Sequence, residues 1–284
     1  MEVFYLKDAK SFLEMTQKAL EEDEINGNLI YGLSNVLIKN ENTYGIDSPF
    51  YSVACKNTEI SLIGLMTPPR NLLLYSNKKI DNSIIDFFVK KLHEKDLGIP
   101  GVTGELNVAK AFMEKWSQIS NVESKISMNL RVYKLTKVEK YMKPEGIFRN
   151  AVKGDVDIII KFITAFTSEI NEPINVERIK EVAEIGIENK EIFVWENKNI
   201  VSMARKQRPT KNGMAVGSVY TPIEHRGRGY ATAVVANLSQ NILDSGKLFC
   251  TLFTDLSNPT SNSIYQKIGY KPICDHVSYI FESK

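Results

Sequence analysis

The fold of this chain is decided by the stretch HRGRGYATAVVANL, residues 225–238, where two glycines lie among arginines directly before an apolar run. Gly227 and Gly229 have no Cβ, so the backbone can turn tightly there and approach a ligand closely. The amides from 227 to 232 would lie at the N-terminus of the following helix, where donors are unpaired and the helix dipole favours an anion. The stretch therefore predicts a pyrophosphate site. The alternative is a tight turn with a solvated basic rim.

Other nucleic-acid and phosphate patterns fit this stretch poorly. The sequence contains no GxxxxGK[ST], and the spacing is not that of GxGxxG followed about twenty residues later by an acid. An RGG-type RNA-binding segment would be repetitive and disordered, whereas this stretch is single and flanked by regular patterns.

Composition excludes several classes of protein. The 284 residues suffice for one large domain or two of ordinary size, and 43% hydrophobic with 25% charged residues is typical of a soluble globular protein. A net charge of +2 is too balanced to indicate nucleic acid or an anionic membrane as partner. The three cysteines and three histidines are scattered, so we expect neither a disulfide framework nor a metal site. The N-terminus lacks a signal-type apolar run, and we expect a cytoplasmic protein, either a monomer or a homodimer.

A basic, irregular segment divides the chain. From about Val132 to Gly146 the sequence loses its periodicity, and Pro144 interrupts it. We therefore predict two domains, 1–140 and 141–284. In the second, strand and helix patterns alternate in the order β-α-α-β-β-β-α-β-α-β, which indicates an α/β domain with a mixed sheet.

The first half repeats this plan faintly. Residues 49–76 parallel 191–221, and residues 102–116 parallel 256–270. This favours an internal repeat, although a chance likeness of two α/β segments is the alternative.

The two proposed copies differ in length. Ser76 to Phe112 spans eight residues fewer than Thr221 to Tyr265, and we assign the missing residues to the glycine loop. The first copy would then have lost its ligand-binding loop.

Two motifs resemble those of a known family. The run from Arg226 to Ala231 matches the (Arg/Gln)-x-x-Gly-x-(Gly/Ala) signature of the GNAT superfamily of acetyl-CoA-dependent N-acetyltransferases. The stretch NPTSNSIYQKIGY, residues 258–270, is similar to the family's other recurrent segment. The resemblance covers residues 146–284 and implies two tandem GNAT-like domains, each a mixed, mostly antiparallel sheet flanked by helices. The first would be a degenerate copy without the CoA loop.

The resemblance also implies how acetyl-CoA is held. The strand ending at residue 221 would splay from its neighbour and pair with the pantetheine amides, and the loop amides would hold the pyrophosphate, with the two arginines adding charge at its rim. Asn258 would reach the pantetheine through its side chain, while the alternative for Asn258 is a helix cap before Pro259. The expected cofactor-binding residues are Val219, Tyr220, Thr221, Arg226, Gly227, Arg228, Gly229, Tyr230, Ala231, Thr232 and Asn258.

Tyr265 is the candidate catalytic residue. An amine must attack the thioester carbonyl, and a phenol with an ordinary pKa near 10 can protonate the departing thiolate. A strand amide near Val219 would polarise the carbonyl. The alternative for Tyr265 is an amphipathic core tyrosine.

The general base is left open. Glu224 follows the predicted strand closely, and Glu169 and Glu172 lie after the first helix of the second half, but each fits a solvated carboxylate better. A water chain is the alternative, and His225 is expected to be a surface residue.

These residues favour an N-acetyltransferase that acts on a primary amine of a small molecule or peptide. Two alternatives remain: a tandem-GNAT acyl or aminoacyl transferase with another donor, and a non-catalytic CoA-binding regulatory module.

Overall fold

The computed structural model describes residues 1–45, 47–76, 79, 81–170 and 172–283. Its first ten elements are β1 (Glu2–Leu6), α1 (Ala9–Glu22), α2 (Glu24–Lys39), β2 (Phe50–Lys56), β3 (Glu59–Met66), β4 (Leu72–Tyr75), α3 (Asn82–His93), β5 (Gly101–Glu105), α4 (Leu106–Ser120) and β6 (Val122–Leu135). The next ten are β7 (Ile147–Asn150), α5 (Val156–Glu169), α6 (Val176–Glu188), β8 (Ile192–Asn197), β9 (Asn199–Gln207), β10 (Gly213–Tyr220), α7 (Tyr230–Asp244), β11 (Phe249–Asp255), α8 (Pro259–Lys267) and β12 (Lys271–Ser283). Helices and strands therefore follow one order twice, and that order is the one predicted for the second half.

The chain forms two compact units that do not coincide with the two repeats. One unit contains Met1–Val132, Thr254–Ser257 and Ile273–Lys284, and the other contains Tyr133–Phe253 and Asn258–Pro272. The sequence analysis instead divided the chain at residue 140 and gave the whole of 141–284 to one domain. The difference arises because the last strand of the second repeat belongs to the first unit.

The first unit has strand order β1-β2-β3-β4-β5-β12. Its neighbouring strands are antiparallel except β4 and β5, and β12 pairs with β5 from His276 opposite Glu105 to Ile280 opposite Gly101. Side chains alternate between the two faces of this sheet. Tyr51 and Val53 of β2 lie in the core with α1 and α2, whereas Ala54 lies in the core with α3 and α4.

The second unit has strand order β11-β10-β9-β8-β7, and its side chains also alternate between the two faces of the sheet. Only β10 and β11 are parallel among these pairs. Phe193 and Trp195 of β8 lie in the core with α7 and α8, whereas Ile192 and Val194 lie in the core with α5 and α6. Each unit is thus a mixed, mostly antiparallel sheet flanked by helices, and the predicted fold class is confirmed.

The length difference between the repeats is not confined to one connection. Residues 76–81 join β4 to α3, against 221–229 between β10 and α7, so this connection accounts for only three of the eight missing residues. The other five come from shorter elements, since α3 has 12 residues against 15 in α7 and β5 has 5 against 7 in β11. The prediction that the whole deletion falls at the glycine loop was therefore wrong.

No helix in the described part of the chain is long and apolar enough to span a membrane. Over the same residues, histidine, cysteine and acidic side chains form no group of three or more that could hold a metal ion.

Candidate functional site

The parallel strands β10 and β11 pair over only part of their length. Gly213, Met214 and Ala215 face Phe249, Cys250 and Thr251. Beyond Ala215, β10 continues to Tyr220 without further pairing to the described residues of β11. A gap between two neighbouring strands therefore opens towards the end of β10, as the family resemblance implied.

A β-bulge at Ser218 contributes to this separation. Gly217 faces Arg205 and Tyr220 faces Met203, so β10 advances three residues where β9 advances two. Ser218 adopts a left-handed conformation with φ 48°, which is uncommon for a residue with a Cβ. A bulge bends and twists its strand, and this one sends Val219 towards the core with α7 while Tyr220 packs on Phe162 of α5 at 5.3 Å between ring centroids. The bulge was not predicted from the sequence.

Both glycines of the loop after β10 adopt left-handed conformations. Gly227 has φ +77° and Gly229 has φ +81°. A Cβ at Gly227 would meet no atom within 4 Å, and a Cβ at Gly229 would meet only Pro144, whose Cγ would lie 3.9 Å away. The backbone conformation thus requires glycine, and the space beside Gly227 is open rather than filled by protein.

Six consecutive amides of this loop lack an acceptor among the described residues. On one side, the amide of Arg226 bonds to the carbonyl of Ile223 at 3.2 Å, and on the other, the amide of Ala233 bonds to that of Gly229 at 2.9 Å. The amides of 227–232 between them have no partner in the described chain, and Gly229 caps α7 without any side-chain hydrogen bond or acidic residue in the first turn. Such a run of unpaired donors at a helix N-terminus favours an anion.

The two loop arginines differ in their contacts. Arg226 donates from Nε to the carbonyl of Thr221 at 2.9 Å and from Nη2 to Oε1 of Glu169 at 2.5 Å. Arg228 is exposed and forms no ion pair with any described residue. The expectation that both arginines add charge at the rim therefore fits Arg228, whereas the charge of Arg226 is balanced by Glu169.

The remaining residues of the loop divide between backbone and core. The Tyr230 side chain is buried, and its hydroxyl accepts a hydrogen bond from Nδ2 of Asn197 at 2.9 Å. Only the backbone of Tyr230 is therefore available at the loop. Ala231 and Thr232 follow it on the first turn of α7 and are partly exposed.

Two carbonyls at the end of β10 already have donors within the unit. The Tyr220 carbonyl accepts a hydrogen bond from Oγ of Ser202 at 3.1 Å, and the Thr221 carbonyl accepts one from Arg226. The Thr221 hydroxyl lies 2.8 Å from the same Ser202 Oγ. These contacts fix the strand end and occupy one accepting position on each carbonyl.

Asn258 is a helix cap. Its Oδ1 accepts a hydrogen bond from the amide of Ser261 at 3.0 Å, and Pro259 takes the first position of α8. The capping alternative for Asn258 is therefore confirmed. Its Nδ2 has no acceptor in the described chain and is the atom left for a ligand.

Tyr265 is a buried residue of α8 that is only 7% exposed. Its ring centroid lies 6.3 Å from that of Tyr133 and 6.0 Å from that of Tyr270. Burial raises the pKa of Tyr265 to about 12, partly offset by a hydrogen bond with Ser261. The phenol is therefore protonated at neutral pH, but full transfer of its proton to a thiolate with a pKa of about 8.5 would be uphill. It suits hydrogen-bond donation to that sulfur better.

The structure also shows the surroundings of the candidate general bases. Glu169 is bound to Arg226, and Glu172 and Glu224 are exposed. His225 is half-buried rather than on the surface, and its ring lies 6.5 Å from that of Tyr230. No described carboxylate among the three is both free and sheltered from water.

The equivalent helix of the first unit begins differently. Asp81 caps α3 by accepting a hydrogen bond from the Ser83 amide at 2.9 Å, and Nζ of Lys56 lies 2.5 Å from its other oxygen. The hydrogen bonds from Lys56 and Ser83 lower the pKa of Asp81 to about 2. A carboxylate thus already lies where α7 offers free amides, although residues 77, 78 and 80 of this connection lie outside the described part of the chain.

Comparisons with known proteins identify similar folds. Residues 197–280, which include every predicted site residue, match the family model described as FR47-like protein. The chain superposes on a GNAT-family acetyltransferase from Colwellia psychrerythraea with a TM-score of 0.67 and 14% identity, over 100% of both chains. It superposes on a GCN5-related N-acetyltransferase from Sphaerobacter thermophilus with a TM-score of 0.64 and 14% identity, over 98% of this chain and 94% of the other.

A third solved structure matches both repeats together. This is a tandem GNAT protein from the clavulanic acid biosynthesis pathway, with a TM-score of 0.58 and 9% identity over 99% of this chain and 98% of the other. No curated protein matches the sequence. The chain therefore has the fold of GNAT acetyltransferases, and residues 197–280 match the FR47-like family model.

Proposed function

We propose that the protein is an N-acetyltransferase that moves an acetyl group from acetyl-CoA to a primary amine of a small molecule or peptide. The observation that carries the proposal is the run of six amides, 227–232, without an acceptor in the described chain, at a helix start that has neither a capping side chain nor an acidic residue. A pyrophosphate satisfies such donors, and CoA contains one.

The strand gap supplies the second half of the donor site. Since β10 leaves β11 after Ala215, an extended pantetheine arm can lie along the end of β10. Val219 lies between the bulge and the two carbonyls that already have donors, so its backbone groups are our candidates to bind the arm and polarise the thioester carbonyl. Asn258 contributes through Nδ2 while its oxygen caps α8.

The chemistry is a direct displacement at the thioester carbonyl. The amine nitrogen forms a bond to the carbonyl carbon, the carbon–sulfur bond breaks, and the CoA thiolate leaves with the electron pair. Tyr265 donates a hydrogen bond to that sulfur, and because burial raises its pKa, the thiolate takes its proton from water or from the amine. A water chain removes the amine proton, since the nearby carboxylates are exposed or bound to arginine.

A non-catalytic CoA-binding module is the second candidate. The burial of Tyr265 favours it, because a hydroxyl that is closed off from the donor would leave a binding site without an acid. We propose the cytoplasm as the compartment for either function, because all three cysteines are free thiols.

Two measurements test the proposal. Titration calorimetry with acetyl-CoA should give one site per chain, since the corresponding helix of the first unit, α3, is capped by the Asp81 carboxylate, whereas α7 has no capping side chain. A panel of primary amines, assayed for CoA release, should then contain at least one acceptor. Absence of binding refutes the donor site, and tight binding without turnover on any amine supports the regulatory module instead.

A further inference from the structure

Arg226 connects three separate parts of the second unit. It belongs to the glycine loop, its Nε bonds to the Thr221 carbonyl at the end of β10, and its Nη2 bonds to Glu169 at the end of α5. Its guanidinium also lies 5.9 Å from the Tyr220 ring centroid. Glu169 is 57 positions away in the sequence, so this contact ties the end of α5 to the loop.

The contacts of Arg226 leave it poorly suited to bind a phosphate. A guanidinium recognises a phosphate best with two parallel donors, and here the pair on the Nε–Nη2 side is already used by Thr221 and Glu169, which leaves only the Nη1–Nη2 side. The Glu169 carboxylate also neutralises its charge. Arg228, two residues further on, is exposed and has no ion pair in the described chain, so it can take the phosphate role without losing a contact.

We propose that Arg226 is a positioning residue: through Thr221 and Glu169 it holds the loop in the conformation that presents the 227–232 amides. The inference rests on the proposed function only in taking CoA as the ligand. Both side chains of the pair are about half exposed, 46% for Arg226 and 44% for Glu169, so the ion pair alone is a modest contribution. The charge-assisted bond to the Thr221 carbonyl is the larger part.

This arrangement predicts a distinct pattern of coupling. Glu169→Gln should weaken CoA binding about two- to fivefold, in line with the small worth of exposed ion pairs. Arg226→Ala loses both contacts and should weaken it about tenfold or more. In the Arg226→Ala background, Glu169→Gln should have no further effect, because its partner is gone.

Two measurements on the full-length protein test this pattern. Calorimetry with CoA gives the affinities of the single and double variants, and hydrogen exchange on the ligand-free protein gives the protection of the hydrogen-bonded amides at the two ends of the loop, those of His225, Arg226 and Ala233. We expect both single variants to speed exchange at these amides while the global melting midpoint changes little. Arg228→Ala is the matched control: it removes the same charge from the same loop and should weaken CoA binding without altering exchange.

The outcomes separate the alternatives. If Arg226→Ala weakens binding without speeding exchange, and Glu169→Gln changes neither affinity nor exchange, Arg226 contacts the phosphates directly and the inference is wrong. Tighter CoA binding in Glu169→Gln would also overturn it, since Glu169 would then be withholding Arg226 from the ligand. If the wild-type protein binds no CoA, the proposed function fails, and the exchange measurement still decides whether Arg226 holds the loop.

Discussion

Replacing Gly227 by valine tests whether the open space beside this residue belongs to a ligand. Gly227 has φ +77° with no atom within 4 Å of the position that a Cβ would take, and Gly246, beyond the other end of α7, has φ +94° with equally open space. Gly246→Val is therefore a matched control, because both variants force a β-branched residue into the left-handed region next to the same helix. Gly229 is less suitable, since its Cβ would touch Pro144.

The two variants should lose similar stability but differ in binding. Left-handed backbone costs a residue with a Cβ roughly 1–2 kcal/mol, which lowers the melting midpoint by a few degrees in each variant. At Gly227 the side chain also occupies the space in front of the free amides. Loss of one hydrogen bond to a charged phosphate, about 1.5–3 kcal/mol, corresponds to roughly 10- to 150-fold weaker binding of acetyl-CoA.

Calorimetry with acetyl-CoA and thermal melting, performed on both variants, give the comparison directly. We expect Gly246→Val to bind acetyl-CoA as the wild type does. Equal affinities for the two variants, with equal losses of melting temperature, would show that the space beside Gly227 is ordinary solvent and would refute the phosphate assignment.

Three further predictions follow from single residues. Tyr265→Phe should lower turnover on an identified amine roughly 10- to 100-fold with little change in acetyl-CoA affinity. Tyr270→Phe removes a neighbouring hydroxyl that is bonded to Ser239 and should leave turnover unchanged. Wild-type turnover in Tyr265→Phe would exclude the Tyr265 hydroxyl from the reaction. Burial lowers the pKa of His276 to about 4 against the pull of Asp23 and Asp275. Between pH 6.5 and 4 the unfolded chain therefore binds a proton that the folded chain does not, and roughly 3 kcal/mol of stability should be lost over this range; urea unfolding of a His276→Leu variant should lack this loss. Asp81→Ala should lower the melting midpoint through loss of the α3 cap while acetyl-CoA binding stays unchanged, and weaker binding would contradict a single donor site in the second unit.

The sequence predicted the elements of the fold because their signals are local. The start of α7 is marked by Gly229 and its end by Gly246, and the order of strands and helices in the second half follows from periodicity. The partner of β12 is not local. An alternating apolar pattern states which side chains are buried but not which strand lies alongside, so the pairing of His276 with Glu105 could not be predicted.

The candidate site, too, was predicted correctly only where its signals are local. The loop glycines and the Asn258 cap were predicted from neighbouring residues, and the structure shows both conformations. Ser218, the left-handed residue of the bulge, is not a glycine, so the sequence does not mark its position. The bond between Arg226 and Glu169 joins residues far apart in sequence, so the motif alone assigned this arginine to the phosphate.

The two repeats differ at the position of the proposed donor site. At the start of the helix after the fourth strand of each repeat, α7 has Gly229 and unpaired amides, whereas α3 has the Asp81 carboxylate bound to Ser83 and Lys56. An anion cannot take the place of a carboxylate that already satisfies the helix and carries the same sign of charge. The seventh residue of the last helix is Tyr265 in α8 but Phe112 in α4, where it stacks on Trp116 at 5.8 Å. Among its described residues the first repeat therefore has neither the unpaired amides at this helix start nor the hydroxyl, and its sheet is completed by β12, which comes from the end of the chain.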